Sequence, residues 1–81
     1  METEKQTQRR RVEERLLQER KVDNFWAIQN YILRLGAIIF ELRHDGWVID
    51  GAFGKALGYE KPLWKNWYYI LRATPGQGTL L

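Results

Sequence analysis

The hydrophobic period of the chain changes at Gly46, and that change decides which folds are open to it. Before Gly46, apolar residues recur at helical spacing. Ile32, Leu35, Ile39 and Leu42 fall on one stripe of a helical wheel, and Leu33, Arg34, Ala37, Phe40, Glu41 and His44 point away from it. After Gly46, Trp47-Val48-Ile49 and the run from Trp67 to Leu71 suit strands, with Trp67, Tyr69 and Leu71 on one side and Tyr68, Ile70 and Arg72 on the other. Gly46 itself stands where a left-handed helix cap is needed. The order is helical first and hairpin last, which makes the fold class mainly α with a β-hairpin.

Upstream, Arg9 to Lys21 consists largely of Arg, Glu, Gln and Leu, all good helix formers, with Val12, Leu16 and Leu17 on one stripe. The stripe is narrow, so this helix needs a partner surface. Asp23 is placed to cap a second, short helix by accepting the free amide hydrogens of its first turn. The expected helices are 9–21, 24–30 and 32–45, and the expected strands 47–50 and 67–72, joined by a long connection containing Gly51, Gly54, Gly58 and Pro62. The predicted core is Val12, Leu16, Trp26, Ile28, Leu35, Ile39, Leu42, Ile49, Tyr69 and Leu71. One domain over 9–73 is expected, between flexible tails at 1–8 and 74–81.

At 81 residues the chain buries only about 60% of its unfolded surface, which leaves little room for a deep catalytic pocket. It has no cysteine and a single histidine, His44, so a thiolate or multi-histidine metal site within one chain is excluded. Gly51-Ala52-Phe53-Gly54 has the spacing of an RNA-clamping loop but follows a strand instead of joining two helices. Gly54 to Gly58 lacks the Lys-Ser/Thr of a phosphate loop. No enzyme, cofactor or metal is expected. The polar start and the absence of a long apolar run predict a soluble, cytoplasmic protein without membrane contact.

Charge is unevenly placed. Residues 1–22 hold seven basic and five acidic side chains, residues 23–50 two and four, and residues 51–81 four and one. The ends are basic and the middle acidic, so any contact with nucleic acid must lean on the flanks. Three groups of candidates follow. Arg34 begins the third helix, where it can reach a base edge or a phosphate, or simply be solvated. Lys55, Lys61 and Lys65 lie in the hairpin connection beside Phe53, Tyr59 and Trp64; of these aromatics Trp64 or Tyr59 can pack on sugar or an exposed base, or merely cover a small core. Arg9, Arg10 and Arg11 can form a basic arm, although Glu13 and Glu14 offer local ion pairs. Leu33 and Phe40 are large apolar groups on a nominally exposed face; either they mark a partner surface or the first helix or the hairpin folds over them.

The segment Arg34-Leu35-Gly36-Ala37, then Ile39, Glu41-Leu42-Arg43 and Gly46-Trp47-Val48-Ile49, resembles the pattern R-L-(A/G)-A-R-I-x-(D/E)-L-R-x-x-G-(Y/W)-x-I. That pattern is seen in small winged helix-turn-helix proteins encoded by bacteriophages and prophages. The resemblance covers about a third of the chain, with Asn66 to Leu71 similar to the returning strand of the wing. It implies a winged helix-turn-helix: three helices followed by a two-stranded wing, the third helix reading the major groove. The chain departs from the pattern at Ile38, where Arg is usual, and at Leu33, where a small polar residue is common.

The function expected from this resemblance is double-stranded DNA binding in a phage or prophage transcriptional or recombination accessory factor, through Arg34, the three wing lysines and Arg9 to Arg11. The alternative is a protein-interaction module on the same scaffold, docking another protein or a second copy through Leu33, Ile38, Phe40 and Trp64.

Overall fold

The computed structural model describes residues 4–75. Its elements run α1 (Glu4–Glu19), β1 (Lys21–Asp23), α2 (Asn24–Gln29), α3 (Leu35–His44), β2 (Val48–Phe53), a 3-10 turn (Lys61–Leu63) and β3 (Trp67–Ala73). The three helices and the hairpin follow the expected order. α1 starts five residues before Arg9, so residues 4–8 are helical, while 1–3 and 76–81 lie outside the described residues.

α1 buries Val12 and Leu16, one turn apart, and leaves Leu17 half exposed, so the expected three-residue stripe is really two residues wide. The helix stops two residues early. Arg20 takes a left-handed conformation, φ 66°, and its amide still donates to the Leu16 carbonyl at 2.8 Å. The chain then leaves as β1, which the hydrophobic period did not reveal. β1 pairs antiparallel with β3, Val22 opposite Tyr69, and inserts Val22 into the core.

Asp23 caps α2 as expected, one carboxylate oxygen accepting from the Trp26 amide at 3.4 Å. The other accepts from Asn66 Nδ2 at 2.7 Å, which ties the start of α2 to the chain entering β3. α2 is only six residues long and buries Ala27. Ile28, expected in the core, is 63% exposed, because a helix this short can bury only the face that Ala27 occupies. The turn into α3 contains Tyr31 at φ 59° and buries Ile32, whose backbone N–H donates to the Ala27 carbonyl at 2.8 Å. α3 therefore begins at Leu35, three residues later than expected.

α3 buries Leu35, Ile38, Ile39 and Leu42, a broader face than the predicted stripe. Ile38 has no exposed surface and cannot serve an interface; it is a core residue. The helix ends through Asp45 into Gly46, φ +102°, as the sequence predicts. The sheet order is β1-β3-β2, all antiparallel, with a register irregularity between Val48 and Ile49. Ile49 and Leu71 close the core against the helices, and Trp26, Trp47 and Tyr69 pack at its rim. Tyr68 is buried on its own account, under the edge of the Tyr59 ring at 4.9 Å. At Gly51 the Trp67 ring crosses so closely that a Cβ would stand 2.2 Å from Cζ2.

Candidate nucleic-acid interface

The connection between β2 and β3, residues 54–66, is folded tightly on itself. Gly54 donates to the Asn66 carbonyl at 2.9 Å and accepts from Leu57 and Tyr59; Lys55 donates to Trp64 at 3.3 Å. A Cβ on Gly54 would stand 2.0 Å from the Leu63 carbonyl oxygen, so only glycine lets the two sides of the loop approach this closely. Pro62 lies in the first turn of the 3-10 segment Lys61–Leu63, where its fixed φ is tolerated.

This folding brings Lys55, Lys61 and Lys65 to one open groove of about 440 Å³, floored by Phe53, Pro62 and Trp64. The Lys55 ammonium lies 4.8 Å from the Trp64 ring centroid, and the Trp64 indole donates to the Tyr59 carbonyl at 3.1 Å. Tyr59 does not line the groove: its hydroxyl accepts from Lys21. Glu60 is the only carboxylate side chain between Gly51 and Asn66, so the loop carries a surplus of positive charge. Phe53 and Pro62 complete the groove unforeseen. The signal for Phe53 is its place as the last residue of β2, directly opposite Trp67 in β3.

The arginine candidates do not join this groove. Arg34 flanks the start of α3, and its Nη2 donates to Glu41 Oε2 at 2.6 Å, two turns along the same helix. Arg9 reaches across from α1 to the end of α3, donating to Asp45 at 2.5 Å and to Glu13 at 3.3 Å, with Glu41 3.8 Å away. The hydrogen bond to Asp45 holds the Arg9 pKa above its ordinary value, so this guanidinium stays charged wherever the fold exists. Arg10 and Arg11 are exposed, and Arg11 borders a different cleft, beside Glu14, Arg15 and Trp26. Successive helical residues point about 100° apart, so Arg9, Arg10 and Arg11 cannot form one patch.

The outward ridge of α3 and its lead-in turn is apolar. Leu33 is 85% and Phe40 71% exposed, with Ala37 between them, so neither α1 nor the wing covers them. Phe25, Ile28 and Tyr31 are also exposed, on α2 and the turn, and Phe25 borders a separate cleft with Pro62, Leu63 and Lys65 of the wing. His44 is exposed at the end of the ridge, and Trp64 is partly exposed in the wing. Among the described residues no group of three or more His, Cys, Asp or Glu could hold a metal, and no helix is long and apolar enough to cross a membrane.

A family model described as the winged helix-turn-helix domain matches residues 7–54. The chain belongs to the winged helix-turn-helix family. No curated protein and no solved structure matches it. Domains of this family are typically DNA-binding modules without enzymatic activity. The matched span of the winged helix-turn-helix runs from α1 through β2 and ends at Gly54, where the wing loop begins. α2, the turn at Tyr31 and α3 thus form its helix-turn-helix, and Lys55, Lys61, Trp64 and Lys65 belong to a loop beyond the match.

Proposed function

We propose that the domain binds double-stranded DNA, with the wing lysines supplying the phosphate contacts and the outward ridge of α3 facing the major groove. The observation that carries this reading is the gathering of Lys55, Lys61 and Lys65 at one groove of a winged helix-turn-helix. Arg34 contributes once it exchanges its carboxylate for a phosphate, and Arg10 and Arg11 add to the positive field of α1. On the resemblance of α3 and its flanks to phage-encoded domains, the setting is a transcriptional or recombination accessory role in a phage or prophage.

Salt dependence tests it. Each phosphate neutralised by a lysine contributes about 0.9 to the slope of log K against log salt. Lys55→Ala, Lys61→Ala and Lys65→Ala are each expected to flatten that slope by about one unit, and the triple variant by nearly three. Failure to retard any duplex at low salt, or a slope that ignores all three substitutions, would refute the reading.

A second reading, a protein-docking module, is favoured by the exposed Phe25, Ile28, Tyr31, Leu33 and Phe40. Ile38 has no part in it. Its signature is a molar mass that rises with concentration in light scattering and returns to the monomer value in Leu33→Asp.

A further inference from the structure

The wing groove has a composition that a duplex does not fully satisfy. Its floor is apolar and aromatic, with Phe53 50% and Trp64 37% exposed, and its border carries three ammonium groups. A double helix offers a protein its phosphates and the edges of its base pairs, while the flat faces of its bases stay stacked inside. Phosphates account for the lysines. They leave the aromatic floor with at most a sugar to pack on, and with no flat face to stack against it.

Both rings are held in place before any ligand arrives. Phe53 meets Trp67 edge to face at 4.8 Å, and Trp64 is held by its indole hydrogen bond to the Tyr59 carbonyl, while the Lys55 ammonium over its ring must move off to a phosphate for a base to take that face. A rigid aromatic surface ringed by cations suits a ligand with a flat π face and phosphates a few ångströms from it. The volume of the groove, about 440 Å³, lies within the ~300–1,000 Å³ of small-ligand sites. Among nucleic-acid components, an unpaired nucleotide presents both features together.

We propose that this groove binds an unpaired nucleotide of a DNA strand, its base against Phe53 and Trp64 and its flanking phosphates between Lys55, Lys61 and Lys65. The inference rests on the DNA-binding reading and narrows it: the preferred substrate is a duplex with an unpaired end or gap, not an uninterrupted one.

Fluorescence anisotropy of the full chain with three labelled probes tests it: a blunt duplex, the same duplex with a three-thymine overhang, and a thymine dodecamer. Wild type is expected to bind the overhang probe about tenfold tighter than the blunt one, the scale of one stacked base. In Trp64→Leu, which keeps an apolar side chain but no π face, the ratio should fall towards one; Trp64→Phe should restore most of it. Circular dichroism confirms that each variant is folded, and Phe53→Leu provides a second, independent loss of a ring. Equal wild-type affinity for blunt and overhang probes overturns the proposal, as does a preference that survives both leucine variants. Retention of the dodecamer in a Trp64-dependent manner, with no duplex bound, would uphold the groove while refuting the duplex reading; no binding to any probe would refute both.

Discussion

Glu41→Gln separates the two faces that could meet DNA. The Glu41 carboxylate sits on α3, accepts from Arg34 at 2.6 Å and lies 3.8 Å from Arg9. About a third of each side chain in the Arg34 pair remains exposed, so solvent screens it and the pair is worth about 0–1 kcal/mol. The glutamine carbonyl can still accept from Arg34, so the melting temperature should fall by no more than about 4–8 °C. Binding should move the other way. On a helix docked in the major groove, a carboxylate about 8 Å from a phosphate costs about 0.5 kcal/mol at the dielectric of water and about 2 kcal/mol at an effective value near 20. Its removal should tighten duplex binding by roughly two- to thirtyfold at low salt, and an Arg34 released to a phosphate should steepen the salt slope by about 0.9. Anisotropy titrations at several salt concentrations, with a thermal melt of the same sample, read both effects. A folded variant whose affinity and slope match wild type would refute the placement of α3 against DNA and confine any contact to the wing.

The remaining predictions concern the scaffold that holds these faces. Ile38→Ala should cost about 2–5 kcal/mol in urea denaturation, because the side chain is fully buried, whereas Ile28→Ala should stay within about 0.5 kcal/mol. The reverse order would mean that the face of α3 is wrongly assigned. Gly51→Ala places a methyl 2.2 Å from Trp67 Cζ2, so the indole must move; a loss of about 1–3 kcal/mol is expected, with a change in near-ultraviolet circular dichroism. An unaltered aromatic spectrum at unaltered stability would show that Trp67 does not cross Gly51.

The parts of the fold legible in the sequence are those whose signal repeats. α3 spans nearly three turns, so Leu35, Ile39 and Leu42 define its inner face, and Asp23 and Gly46 mark helix boundaries by chemistry as well as position. β1 has three residues and buries only Val22, too few for a period to show. α2 fails for a related reason: six residues do not fix a rotation, and Ile28 falls outside while Ala27 falls inside. Ile38 falls off the predicted stripe yet is buried, because the inner face of α3 is wider than one stripe, being packed by α1 and the sheet together; its spacing of three from Leu35 and four from Leu42 is the available signal. The wing groove was legible as composition, three lysines among aromatics, but their convergence depends on the close approach at Gly54 and the 3-10 turn. Long-range pairs such as Arg9 with Asp45 leave no local trace at all.

The placement of charge constrains how such a domain can recognise a polyanion. Around α3, Arg9 and Arg34 face Glu13, Glu41 and Asp45, so this cluster carries two positive charges against three negative ones. The wing loop carries Lys55, Lys61 and Lys65 against Glu60. On the DNA-binding reading, long-range attraction therefore falls to the wing, and it is indifferent to sequence because phosphates are the same everywhere. The ridge of Leu33, Ala37 and Phe40 brings no charge, and its only attractive contacts in a major groove are at van der Waals range, with the thymine methyl as its apolar partner. Affinity and discrimination thus reside in different elements of the fold. Salt should weaken binding to all duplexes alike, while the ranking among sequences, set by short-range contact and by the shape of the groove, should persist as salt rises.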